Sequence, residues 1–233
     1  MVREGYSFGL PPLLLGLLLL IFGRSWMFAA GVAFVFLGLF VFSFFRNPER
    51  LIPGEAGIIV SPADGRVMVV KEEENNGRAG KRISIFLAIW NVHVNRAPAT
   101  GTIKSIEYKP GKFFAAWDEK ASFQNEQNVF TQTTEYGGIV YRQIAGWVAR
   151  RVVAWKKAGD TVARGERIGL MRFGSRMDVW LPSEAEVMVR VGESVKGGTS
   201  LLARFPQTVA VRKPESDASA KARQKINEDG HPA

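Results

Sequence analysis

The chain has 233 residues, 46% of them hydrophobic and 23% charged, enough for one sizeable folded domain with an accessory segment. It has no cysteine and 2 histidines, His93 and His231, which excludes disulfides, thiolate zinc sites, cysteine nucleophiles and histidine-rich metal centres. The net charge of +9 points to an anionic partner, either nucleic acid or a membrane surface, and the N-terminal stretch decides between them.

No charge occurs between Glu4 and Arg24, nor between Arg24 and Arg46. The second interval is 21 residues long and as a helix covers about 31 Å, enough to cross a bilayer core. The first holds Pro11–Pro12, which predicts a shorter helix beginning near Leu13. Gly23-Arg24-Ser25 joins the two. Residues 1–47 therefore read as a hydrophobic, membrane-anchoring helical hairpin that spans twice or dips in and returns. A cleaved signal peptide would suit Arg3 and the leucine run, but a second, longer apolar run follows directly. Arg3, Arg46 and Arg50 flank the hairpin on one side. They predict a cell-membrane protein whose large domain lies on the cytoplasmic side, with Arg24 as the exception. The partner is then a membrane rather than a nucleic acid.

From residue 48 to 211 the pattern changes to short apolar runs punctuated by Gly, Pro and Asn, such as GRVMVVK, RISIFLAI, GGIVYRQIA and MDVWLP. That predicts a mainly antiparallel β domain. The helical pattern is confined to a weak stretch at Trp117–Phe123. An internal repeat stands out in the second half: Ala158-Gly159-Asp160-Thr161-Val162-Ala163-Arg164-Gly165 is echoed by Val191-Gly192-Glu193-Ser194-Val195-Lys196-Gly197-Gly198. It resembles the β-hammerhead of biotinyl and lipoyl carriers, a barrel-sandwich arrangement. Between the repeats, a hairpin with Gly174-Ser175 near its tip is expected. The last stretch, 212–233, is polar, mixed in charge and poor in apolar residues, as in a disordered tail.

Three places carry possible chemistry. Asp64 lies in the turn Ser61-Pro62-Ala63-Asp64-Gly65. His93 follows an apolar strand, within WNVHVNRAP. Gly174-Ser175 stands between two strand-like runs. Each alone has an ordinary reading as a turn or a satisfied core histidine. An acid, an imidazole and a hydroxyl are also the parts of a nucleophilic triad, in which an aspartate fixes the imidazole tautomer and the imidazole takes the hydroxyl proton.

SPADG, WNVHVNRAP, the run Asn125-Glu126-Gln127-Asn128, IAGWVARRVV and FGSRMDVWLP occur in this order. Over roughly residues 46–205 the chain resembles phosphatidylserine decarboxylases of the short bacterial and archaeal type. The resemblance implies a precursor that cuts itself between Gly174 and Ser175. Ser175 would become a covalently bound pyruvoyl group, the cofactor that forms a Schiff base with phosphatidylserine and releases phosphatidylethanolamine. It also implies Asp64, His93 and Ser175 as the processing triad, His93 as the acid of the decarboxylation step, and a heterodimer of the two cut chains that pairs further in some members. The pattern departs at Arg96, where long-form members have a second histidine; its guanidinium suits the lipid phosphate or carboxylate.

Apolar, charge-flanked Lys112–Trp117 reads as an interfacial loop, and Trp147 and Trp155 with Arg150, Arg151, Lys156 and Lys157 as a headgroup-level cluster. Two other readings compete. A membrane-anchored hammerhead carrier needs a lysine at the hairpin tip, and none occurs between Lys157 and Lys196. A lipid-directed serine hydrolase ordinarily has a G-x-S-x-G elbow leading into a helix, whereas FGSRM leads into a strand.

Overall fold

Two apolar helices lead the chain in the computed structural model, which describes residues 1–75, 77–147, 151–172 and 174–206. The tail expected at 212–233 lies outside them. Helix α1 (Arg3–Phe22) and α2 (Trp26–Phe44) form an antiparallel hairpin turned at Gly23-Arg24-Ser25. Contrary to the sequence expectation, α1 runs straight through Pro11–Pro12 instead of starting after them. Glycines explain what keeps it continuous. A Cβ on Gly16 would meet the Val35 nitrogen and the Gly31 carbonyl oxygen at 2.7 and 2.8 Å, so the two backbones are in close contact. That packing compensates for the two missing amide donors. The outward faces stay apolar: Ile21, Phe22, Trp26 and Phe36 are largely exposed. Both helices are long and apolar enough to cross a membrane.

Among the described residues fourteen strands follow: β1 (Ile58–Val60), β2 (Gly65–Asn75), β3 (Arg78–Leu87), β4 (Val94–Arg96), β5 (Gly101–Lys109), β6 (Gln127–Thr134), β7 (Gly137–Ile144), β8 (Val152–Ala154), β9 (Thr161–Val162), β10 (Arg167–Met171), β11 (Ser175–Pro182), β12 (Glu186–Val187), β13 (Ser194–Val195) and β14 (Leu201–Arg204). One short helix, α3 (Ala121–Gln124), takes the place of the helical stretch read at Trp117–Phe123. The fold is mainly antiparallel β, as expected. Its main sheet has eight strands in the order β13-β2-β3-β11-β7-β6-β5-β9, beside two three-stranded sheets, β1-β14-β12 and β4-β10-β8. Alternating apolar residues of the long strands meet in one core, with Ile83, Ile85, Phe130, Tyr141, Met177 and Val179 fully buried. Phe130 and Tyr141 are register partners with rings stacked at 5.0 Å.

The internal repeat is structural. Gly159 and Gly192 have φ of +92° and +93°, and Gly165 and Gly198 have +77° and +80°, so equivalent glycines make equivalent left-handed turns. Their short strands, β9 and β13, close opposite edges of the eight-stranded sheet. The expected hairpin between the repeats takes another form. β10 pairs with β4 and β8, whereas β11 pairs with β3 and β7. Gly174-Ser175 is therefore where the chain crosses from a three-stranded sheet into the centre of the large one.

Candidate active site

Ser175 opens β11 opposite Leu87 of β3 and is completely buried, and its Oγ has no hydrogen-bond partner among the described residues. Gly174 before it has φ of +64°, a conformation that side chains rarely adopt, although a Cβ there would meet nothing within 4 Å. Glycine is thus required for backbone shape, not for space. The space constraint falls on Gly146. A Cβ built there would overlap the Gly174 carbonyl oxygen and lie 2.8 Å from its carbon, inside the 3.0 Å limit of real Cβ contacts. Gly146 is the wall against which this carbonyl rests.

His93 reaches the same neighbourhood by two routes. Leu87, the partner of Ser175, leads into a turn closed by Ala88 N–H donating to Asn91 Oδ1 at 2.8 Å, and His93 follows it. Met171, shortly before Ser175, donates its N–H to the His93 carbonyl at 3.1 Å. Imidazole Nδ1 is 2.9 Å from the Asn91 carbonyl oxygen. A carbonyl only accepts, so Nδ1 carries the proton and Nε2 presents a lone pair. Nε2 is buried with no hydrogen-bond partner among the described residues. The Phe44 ring at the end of α2 lies 4.2 Å from the imidazole, and Val2, Phe44 and Phe45 pack with Val92, Val94 and Leu170. The hairpin is seated on the segment that carries the histidine, immediately before β4. Arg46 secures the junction by donating to the Trp90 carbonyl at 2.6 Å.

Asp64 and Arg96 are placed differently from the sequence reading. Asp64 does not bond His93; its carboxylate takes hydrogen bonds from Arg50 at 2.8 and 3.0 Å and from the Gly197 N–H at 2.8 Å. The tautomer role assigned to it is filled by the Asn91 carbonyl. Arg96 is buried and spends its donors on the carbonyls of Gly165 at 2.8 Å and Pro48 at 2.9 Å, tying two loops together. Burial, then the charges of Arg167 and Arg50, depress its pKa. Its guanidinium is occupied by the fold.

Sequence reasoning passed over the residue after Ser175. Arg176 is completely buried, and bonds Asp178 Oδ1 at 2.7 Å and Ser84 Oγ at 2.8 Å. Asp178 also accepts from Ser122 at 2.6 Å and Arg82 at 3.3 Å. Glu119 bonds Arg82 and Lys71, and Arg176 at 3.3 Å. Burial would raise the Glu119 pKa, but these cations outweigh it and hold it at about 2. The set ties segment 118–122 to the strand that starts at Ser175. Removing one of its buried members, Arg82, Arg176 or Asp178, characteristically costs about 3–5 kcal/mol, because the others are left uncompensated. The sequence signal was an arginine and an aspartate on one face of a strand of otherwise apolar character.

The phosphatidylserine decarboxylase family pattern matches residues 37–203. The chain belongs to the phosphatidylserine decarboxylase family. Its relatives include the phosphatidylserine decarboxylase proenzyme of Symbiobacterium thermophilum, 46% identical over 209 residues, which are 88% of this chain and 95% of that one. The proenzyme of Geobacter metallireducens is 41% identical over 208 residues, 87% and 95% of the two chains. That of Solibacter usitatus is 47% identical over 173 residues, 74% and 82%. Each of those relatives is named as a proenzyme.

For this decarboxylase the state of His93 has a measurable consequence. Burial lowers its pKa from 6.5 to about 4, aided by the charge of Arg46 and opposed by the Asn91 carbonyl. The imidazole is neutral at pH 7. Between pH 6.5 and 4 the unfolded chain binds a proton there that the folded chain refuses. The stability this group contributes is complete above pH 6.5 and declines as pH falls toward 4, by at most about 3 kcal/mol. Denaturation of an uncut Ser175→Ala protein across this range is expected to show the slope, and His93→Gln is expected to flatten it.

Proposed function

We propose that the chain converts phosphatidylserine to phosphatidylethanolamine with a pyruvoyl group that it makes from Ser175 by cutting itself after Gly174. The observation carrying this reading is Gly174 at φ +64°, its carbonyl set against Gly146, followed by a serine whose buried Oγ has no partner. Ser175 Oγ attacks the Gly174 carbonyl carbon and the C–N bond breaks, so the amide becomes an ester. His93 Nε2, neutral and unpaired, is the group suited to take the hydroxyl proton. The Ser175 α-proton then leaves, and the C–O bond breaks to release the Gly174 carboxylate. The dehydroalanine left on the new chain tautomerises to an imine, and water replaces its nitrogen as ammonia, giving a ketone.

The ketone would supply an electrophile for the headgroup amine and an electron sink for the pair released as CO2 departs. The chain's own residues then hold and screen the site. Arg176 and Asp178 fix the start of β11, and β3 and β7, both from the N-terminal fragment, pair with it on either side. Cutting therefore leaves a heterodimer of 1–174 and 175–233 held together by sheet hydrogen bonds. The structure's His93 is neutral, which favours it as base in the cutting step over acid in the decarboxylation. Asp64 acts at one remove, through Arg50 and the Gly197 turn.

Access to a lipid substrate is supported by the hairpin seated beside His93 and by Trp90, Trp117 and Trp147, which are 71%, 69% and 65% exposed. Both ends of the hairpin lie on the side of the β domain, in keeping with a domain on the cytoplasmic face of the cell membrane. Arg150 lies outside the described residues. Incubation with phosphatidylserine and borohydride tests the reaction. A mass increase confined to the 175–233 fragment supports it, and decarboxylation unaffected by borohydride contradicts it.

A further inference from the structure

Among the described residues, Arg172, two positions before Gly174, has no salt-bridge partner. It ends the β4-β10-β8 side of the crossover, and its Cα is at most about 11 Å from that of Ser175 even if the three residues were fully extended. Its Nε is buried and has no hydrogen-bond partner among the described residues. Its guanidinium lies 5.1 Å from the centre of the Phe8 ring of α1. Stacking uses the face of a guanidinium and leaves its in-plane N–H donors for another group. Arg151 stands next to it, with the Arg172 N–H donating to the Arg151 carbonyl at 3.3 Å. Burial first, and then the Arg151 charge, lower the Arg172 pKa, while Glu4 acts the other way without forming an ion pair with it. Arg172 as a whole is half-buried, whereas the buried guanidiniums of Arg82, Arg96 and Arg176 are matched to carbonyls, hydroxyls or carboxylates.

We propose that Arg172, with Arg151 beside it, is the subsite that receives the phosphodiester anion of the substrate headgroup. This rests on the proposed reaction. A phosphodiester suits the place better than the serine carboxylate. Its charge persists throughout the reaction, whereas stabilising the carboxylate would oppose its loss as CO2. The phosphate is also the part of the polar headgroup nearest the acyl chains, and Arg172 stacks on the anchor helix shortly before the cut bond. In this position it orients the headgroup amine toward residue 175.

The test uses full-length Arg172→Gln and Arg172→Lys, after intact mass has shown that they are cut and carry the pyruvoyl group. They are assayed on phosphatidylserine in phosphatidylcholine vesicles and on soluble glycerophosphoserine. For Arg172→Gln a rise in KM of about tenfold or more is expected on both substrates, the loss of one charge-assisted contact, with Arg172→Lys recovering part. Competitive inhibition of the wild type by inorganic phosphate is expected to weaken in parallel, and sedimentation with the vesicles to stay unchanged. Unaltered KM on glycerophosphoserine overturns the proposal, whether Arg172 then proves to be a vesicle contact or a site for free phosphate alone. Should Arg172→Gln stay uncut, Arg151→Gln replaces it: a raised KM with weaker phosphate inhibition supports the subsite, and unchanged values overturn it. A wild type that lacks pyruvoyl and activity would instead contradict the proposed reaction.

Discussion

Ser175→Ala is expected to give one uncut chain of 233 residues and to lose phosphatidylserine decarboxylation by at least about 10⁴-fold, the scale of loss when a nucleophilic serine is removed. In the proposed reaction one residue supplies both the nucleophile, its Oγ, and the future electrophile, its Cα, so nothing downstream can form without that hydroxyl. The substitution is otherwise mild. The side chain is buried and its hydroxyl has no partner, so removing the oxygen breaks no hydrogen bond and relieves an unsatisfied polar group. Folding is expected to be retained or improved, which makes this variant the reference precursor. Gel mobility and the release of labelled CO2 check both halves.

Gly146→Ala is expected to slow self-cleavage by about 100-fold or more, the effect of displacing a reacting atom by an ångström. The added methyl overlaps the Gly174 carbonyl oxygen, and Ala116, whose Cβ lies 3.5 Å from the same point, closes the space behind it. Either the carbonyl swings away from Ser175 Oγ or the Ala145–Trp147 turn gives way. Gly138→Ala is the control, since Gly138 is exposed and its nearest atom lies 4.0 Å from an added Cβ. The fraction of uncut chain over time, measured against this control, separates an effect on the carbonyl from the general cost of replacing glycine in this strand and turn region.

Much of the architecture was legible because it rests on periodicity. The apolar hairpin, the short β runs and the paired V/A-G-D/E-x-V-x-x-G turns all follow from local pattern, and the positive φ at Gly159, Gly165, Gly192 and Gly198 bears out the repeat. Pro11–Pro12 misled because a proline's cost is local, whereas the contacts of Gly16 and Gly31 that offset it come from the other helix. The crossover at Gly174-Ser175 was read as a hairpin tip because adjacent strands usually pair, and only the sheet order assigns β10 and β11 to different sheets.

The site was legible in its residues and not in its wiring. Ser175 and His93 could be singled out by type and by their motifs. That Asn91 rather than Asp64 bonds the imidazole, or that Arg96 spends its donors on Gly165 and Pro48, depends on long-range geometry that spacing does not encode. Gly146 was hidden for a similar reason. Its significance is a missing side chain opposite a carbonyl 28 residues further along the chain (174 − 146).

The most direct measurement is the intact mass of the purified wild-type protein. Two chains are expected, 1–174 and 175–233, with the smaller lacking a free N-terminal amine because a pyruvoyl group stands in place of Ser175. A single chain of 233 residues in a preparation that decarboxylates phosphatidylserine would contradict the account.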